Sequence, residues 1–256
     1  MPIGISTLCT FGKTFKELSS YCDVAPPLIE LVDDWRDSLN RERMNQIQEI
    51  KSALGIDFTV HTPFVGVNIS SANEKLRGLS VRIIKKSISN ASEIGAQVAV
   101  VHPGSSSMLD DYYPGTHWQA NIRSLKSILS FAEDLGVIVG LENMPARTSA
   151  FMQRIDEFER AEEAGLDFKI ALDIGHANTH SLVKAFVERY KHKVVHVHLH
   201  DNMGQEDQHL VMGQGTADWG WLSSKLSFRT MTAAVESLSL RDALKCLEKA
   251  NQVFSS

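Results

Sequence analysis

Cysteine is scarce in this chain. Cys9, Cys22 and Cys246 stand far apart and none lies in a CxxC spacing. An odd, sparse count argues against a disulfide framework and against a zinc ribbon, and it suits a reducing compartment. Positive charge is short as well: the formal net charge is −5, so no basic surface advertises nucleic acid or an acidic membrane. No apolar run approaches the length of a membrane span. The opening MPIGISTLCTFG has no charged n-region followed by an apolar stretch. The expectation is a soluble, cytoplasmic chain with no membrane partner. The turn after the first apolar run reads STLCTFGKT and lacks the GxGxxG of an open doubly wound sheet that binds a dinucleotide. Repeats, low-complexity stretches and linkers are missing too, so residues 1–256 are expected to form one domain.

What is present is a regular alternation of short apolar runs and longer amphipathic stretches. Strands are expected at Ile3–Ser6, Pro27–Leu31, Phe58–His61, Ala96–His102, Val137–Glu142, Phe168–Asp173, Val194–His200 and Met231–Glu236. Helices are expected at Thr14–Tyr21, Arg41–Leu54, Leu79–Ile94, Trp118–Leu135, Phe151–Ala164, Leu182–Tyr190, Trp219–Leu226 and Leu240–Asn251. Gly55, Gly95, Gly136 and Gly165 read as helix stops. Eight strand–helix units in 256 residues, 43% of them hydrophobic, point to an α/β fold, a single closed (β/α)8 TIM barrel. The longest irregular stretch, Gly104–His117, is expected to cover substrate, with a surface insertion as the alternative.

The polar residues then fall in a pattern. From Val194 the chain reads VVHVHLHDNMGQEDQHLVMGQG, with His196, His198 and His200 on one face of a strand and Val195, Val197 and Leu199 on the other. Asp207 and His209 follow in a glycine-bearing loop. Strand ends elsewhere supply His61, His102, Glu142, Asp173 with His176 three residues later, and Glu236. In a barrel these C-terminal ends build the active site. Carboxylates converging there would repel one another unless a cation compensates them. The alternative for any single residue is a hydrogen-bonded barrel lining. Imidazole mixed with carboxylate, without cysteine, suits zinc, manganese, cobalt or iron. The cofactor expected is a divalent metal, zinc or manganese, as one to three ions.

These motifs resemble the xylose-isomerase-like TIM-barrel superfamily across nearly the whole chain. That superfamily holds the endonuclease IV (AP endonuclease family 2) enzymes and many sugar isomerases and epimerases. The resemblance to endonuclease IV implies nine metal ligands: His61, His102, Glu142, Asp173, His176, His198, Asp207, His209 and Glu236. It makes Glu142 a carboxylate bridging two ions, and groups His176, Asp207 and His209 on a third. The chain departs from those endonucleases after strand seven, where it reads His198-Leu199-His200-Asp201-Asn202-Met203. The TPFVGVN after His61 also lacks their DNA-penetrating tyrosine and leucine, and LVDDWRDSLNRER shows no counterpart of their arginine loop. The epimerase branch implies a metal set of Glu142, Asp173, His198 and Glu236, with Glu142 and Glu236 as acid and base and His176 as a substrate-binding residue.

Two chemistries follow. An isomerase or epimerase acting on a small-molecule sugar or sugar phosphate needs a polarised carbonyl and carboxylates that move a proton, and Arg147 is the candidate for holding a phosphate. An AP endonuclease acting on DNA needs an activated water attacking phosphorus. The missing DNA-facing residues and the acidic balance favour the first.

Overall fold

The computed structural model describes residues 3–254. Eight parallel strands close on themselves in sequence order. They are β1 (Ile3–Ser6), β2 (Leu28–Val32), β3 (Asp57–His61), β4 (Val98–Val101), β5 (Ile138–Glu142), β6 (Lys169–Asp173), β7 (Val194–Leu199) and β8 (Thr232–Val235). β1 pairs with both β2 and β8, which leaves no sheet edge. The helices are α1 (Leu18–Val24), α2 (Arg41–Leu54), α3 (Glu74–Glu93), α4 (Leu109–Tyr112), α5 (Thr116–Asp134), α6 (Ile155–Glu163), α7 (Ile174–Thr179), α8 (Val183–Tyr190), α9 (Trp219–Lys225) and α10 (Leu240–Phe254). The expected (β/α)8 TIM barrel is therefore the observed architecture.

Period-two alternation divides each strand between two environments. Ile29, Leu31, Phe58, Val60, Ala99, Val101, Val139, Leu141, Ile170, Leu172, Val197, Leu199, Ala233 and Val235 belong to the apolar cluster shared with the helices. The residues between them face the barrel axis. They are small or polar where space is short: Gly4, Ser6, Glu30, Thr59, Gly140, Ala171, Ala234 and the residues of the polar cluster described below. α10 shows the helical side of this packing, burying Ala243, Cys246, Leu247, Ala250 and Phe254 on one stripe.

Several expected boundaries move, each for a local reason. α3 begins at Glu74, five residues before the expected start, because Asn73 caps it by accepting from the Lys75 and Leu76 amides. The single helix expected over Thr14–Tyr21 is a 3-10 turn, Thr14–Lys16, followed by α1. α6 starts at Ile155 and leaves Phe151 outside it. β2 starts at Leu28 and runs on to Val32, because Val32 pairs with His61. Gly104–His117 is not wholly irregular, since it contains α4 and its last two residues open α5. The four expected stops hold: Gly55, Gly95, Gly136 and Gly165 all have φ near 68–70°, which closes a helix without Cβ strain.

One irregularity bears on the site. The β6–β7 register shifts between Ile170 and Ala171, so that Ile170 faces Val194 while Ala171 faces His196 and Asp173 faces His198. Val195 is the extra residue, and this bulge brings His196 and His198 into line with the inward residues of β6.

Candidate metal centre

All nine residues named from the sequence as metal ligands meet at the C-terminal end of the barrel. Glu142, closing β5, is the hub. Its Oε2 lies 3.3 Å from His61 Nε2 and 2.9 Å from His102 Nε2, and its Oε1 lies 3.2 Å from His198 Nδ1 and 3.3 Å from His176 Nδ1. Asp173, closing β6, places Oδ2 3.4 Å from His198 Nδ1 and 3.1 Å from His200 Nε2. Glu236, just past β8, has Oε1 3.7 Å from His198 Nδ1 and Oε2 3.8 Å from His209 Nδ1. In the loop after β7, Asp207 Oδ2 lies 3.2 Å from His176 Nε2 and 3.1 Å from His209 Nε2.

Local structure explains how each group is aimed. Asp173 caps α7, accepting the His176 amide at 2.6 Å, and this turn carries the imidazole back over the barrel mouth. The His176 ring then donates from Nδ1 to the Asn143 carbonyl at 2.8 Å, which leaves Nε2 facing Asp207. His61 likewise donates from Nδ1 to the Thr62 carbonyl at 2.9 Å and turns Nε2 to Glu142. Gly175 permits the crossing of α7 and β7, because a Cβ there would overlap the His200 ring. Asp201 is fully buried and accepts from the amides of Asn202, Gly213 and Ala217 and from Trp219 Nε1, so one carboxylate ties together the loop that presents Asp207 and His209.

The electrostatics of the cluster are set by burial against mutual pairing of carboxylates and imidazoles. Burial pushes Glu142 upward, but the charges of His102 and His198 outweigh it and hold the carboxyl well below its usual range. Asp173 and Asp207 are also pushed up by burial and brought below their ordinary values by neighbouring imidazoles. Burial opposes protonation of His176 and His209, yet Asp173 and Asp207 raise His176 to about 10, and Asp207 and Glu236 raise His209 to about 9. His198 also rises well above its ordinary value, whereas burial wins at His102 and lowers it. Protons on imidazoles thus neutralise the carboxylates, a task a divalent ion performs with the imidazoles neutral. The donor set fits such ions. Among the described residues, five overlapping groups are compact enough to hold an ion: His61, His102 and Glu142; Glu142, Asp173 and His198; His200, Asp207 and His209, where His200 takes the place expected for His176; Asp173, His176 and His200; and Glu30, His196 and His198. In the third group His200 Nδ1, Asp207 Oδ1 and His209 Nδ1 are buried atoms without a hydrogen-bond partner, an arrangement that costs free energy unless something binds there.

Three residues at this site were not assigned from the sequence. His200 was placed on the polar face of its strand but not among the ligands, and it stands between Asp173 and Asp207. Glu30 on β2 is fully buried beneath His198, its Oε2 3.2 Å from His198 Nε2. The signal available was one carboxylate inside an otherwise apolar LIELV strand. Phe64 stacks on His102 with ring centres 5.3 Å apart, and its amide, with that of Val65, is held by Asp34. Arg147, named as a phosphate holder, is exposed on a left-handed backbone (φ 63°), and no ion pair joins it to the cluster among the described residues. A cavity of about 140 Å³ adjoins the cluster, lined by Phe64, His102, Pro103 and Met144. A larger one, about 550 Å³, opens beside the strand starts at Val137 and Phe168, at the barrel end remote from these ligands.

Comparison with known proteins places the fold. Over 231 residues the chain is 31% identical to an uncharacterized protein of Methanocaldococcus jannaschii, covering 86% of this chain and 77% of that one. It is 25% identical over 185 residues to a probable endonuclease 4 of Thermoplasma acidophilum, covering 66% of this chain and 62% of that enzyme. Among solved structures, a D-tagatose 3-epimerase-like protein superposes with a TM-score of 0.91 at 28% identity, covering 100% of this chain and 97% of the other. A D-psicose 3-epimerase, 17% identical with a TM-score of 0.78, shares the fold. Residues 27–240 match the family model described as xylose isomerase-like TIM barrel. With that match added to the closed barrel, the chain belongs to the xylose isomerase-like TIM-barrel family.

Proposed function

We propose that the chain is a divalent-metal-dependent isomerase or epimerase of a sugar or sugar phosphate. The observation that carries this reading is the convergence of three carboxylates on one imidazole nitrogen. Glu142, Asp173 and Glu236 approach His198 Nδ1 to 3.2, 3.4 and 3.7 Å, a hard, oxygen-rich set that leaves room for substrate oxygens. When bound there, a zinc or manganese ion supplies Lewis-acid polarisation of a substrate carbonyl. The protein's own residues do the rest. Glu236, past β8, takes the proton from the carbon beside the carbonyl, and Glu142, closing β5 on the opposite side of the substrate, returns one to the other face. His176 orients a substrate hydroxyl, Phe64 excludes water along the His102 side, and the 104–117 segment covers the bound sugar. Arg147 is retained as the group that meets a phosphate.

A specific observation favours a second reading. The groups around His61 and His102 and around Asp207 and His209 are further donor sets beside the central one. Additional ions suit phosphodiester hydrolysis at abasic sites in DNA, the chemistry of an AP endonuclease. One experiment separates the two. Turnover of a panel of ketoses and their phosphates in deuterated water is expected to place deuterium beside the carbonyl, and Glu236→Gln to suppress that exchange about a hundredfold or more. Cleavage of a duplex at a single abasic site, with no exchange on any sugar, would reverse the assignment.

A further inference from the structure

Glu30 is a fully buried carboxylate in the barrel interior, flanked by two imidazoles. Its Oε2 lies 3.2 Å from His198 Nε2 and 3.1 Å from His196 Nε2, and its Oε1 has no partner. On the far side of His196, Nδ1 meets Thr232 Oγ1 at 2.7 Å. A chain of polar groups thus runs down the barrel axis from His198 through Glu30 and His196 to Thr232. Packing does not call for it, since an apolar side chain of similar volume would fill the same space at lower desolvation cost.

The geometry of His198 supplies the reason. An imidazole that ligates an ion through one nitrogen has its other nitrogen fixed by a hydrogen bond, which sets the tautomer and the ring plane. His61 and His176 each spend Nδ1 on a backbone carbonyl. His198 instead meets a carboxylate with Nε2, while Nδ1 faces Glu142, Asp173 and Glu236. A carboxylate is the stronger acceptor and leaves Nδ1 the better donor to a cation. We infer that Glu30 is a positioning residue of the metal centre, which holds His198 with its proton on Nε2 and presents Nδ1 as the metal-binding nitrogen. His196, bonded to Thr232 through Nδ1, flanks the same Glu30 oxygen without a hydrogen bond to it.

This rests on the metal-site part of the proposed function and is tested without substrate. Zinc is the probe. Its affinity is measured by competition with a chromophoric chelator in the wild type and in Glu30→Gln, which keeps shape and removes charge. Long-range proton–nitrogen NMR of the zinc-loaded wild type reads which His198 nitrogen carries hydrogen. The expected results are an Nε2–H ring at His198 and zinc binding weakened about 10–100-fold in Glu30→Gln. Zinc binding unchanged in that variant, or a His198 ring bound to zinc through Nε2, overturns the assignment. A purely structural Glu30 would lower the melting temperature and move neither readout. Should Glu30→Gln fail to fold, the wild-type ring decides alone. A wild type that binds no zinc overturns the metal reading as well, whereas zinc binding without any sugar exchange leaves Glu30's role standing and removes only the isomerase assignment.

Discussion

His176 and His209 show how single residues set the pH behaviour of the site. Their protonated forms are favoured in the folded chain, to about 10 and about 9, against an ordinary histidine value of 6.5. A folded-state value above the unfolded one contributes stability that is complete below the unfolded value and is lost as pH rises through the folded one. The ion-free chain should therefore lose stability progressively from about pH 6.5 to pH 10, visible as a falling melting temperature in calorimetry with chelator present. Zinc needs the same imidazoles neutral, so zinc binding should release protons and tighten as pH rises. Titration calorimetry in buffers of different ionisation enthalpy measures that release, and a heat independent of buffer would contradict it. Gly175 makes a second residue-scale test. Gly175→Ala pushes a methyl into the His200 ring and should cost about 1–3 kcal/mol in denaturant unfolding, as overpacking does.

At the scale of the element, the segment between β7 and α9 is tied down by Asp201 as well as by the burial of Val211 and Met212 in the core. Four N–H groups converge on its carboxylate, and Asp201→Asn replaces one acceptor oxygen with a donor that faces them. Hydrogen exchange across residues 202–217 should accelerate in that variant while the barrel strands keep their protection. The Asp207→Ala/His209→Ala double variant asks what the loop holds. If the loop carries an ion of its own, as in an endonuclease-like site, the variant should lose about one metal ion per chain and keep the rest, counted by elemental analysis of protein loaded with zinc. Unchanged stoichiometry would make the loop a substrate contact or a surface turn. Within β2, Glu30 escaped notice because strand period and strand end were the only guides. LIELV reads as a nearly continuous apolar run, and nothing local announces that its one carboxylate reaches histidines more than 160 residues away.

For the molecule as a whole, the cluster draws its residues from much of the barrel. Glu142 touches imidazoles delivered from β3, β7, the loop after β4 and α7, so its loss is felt around the mouth. Glu142→Ala or Asp173→Ala should abolish binding of the central ion and lower the melting temperature, because the imidazoles left behind are buried without their counter-charge. Retention of full metal content with unchanged melting would remove both residues from the ligand set. Zinc in the wild type acts the other way. At a thousand times its dissociation constant it should stabilise the fold by about 4 kcal/mol, read as a raised unfolding midpoint.

Much of this was legible in the sequence. The eight strand–helix units follow from alternating hydrophobic periods and from glycine stops, both local properties of the chain. The nine candidate positions could be read as neighbours because a barrel sends every C-terminal strand end, with the loop after it, to one mouth, while their grouping as metal ligands came from the resemblance to endonuclease IV. Tertiary structure decided what depends on closure. The β6–β7 bulge selects which histidines share a layer with Ala171 and Asp173, and Gly175 is required only because His200 arrives from another strand. Closure also sets Glu30 against His196 and His198, since only a ring of strands brings β2 within reach of β7 across the barrel axis.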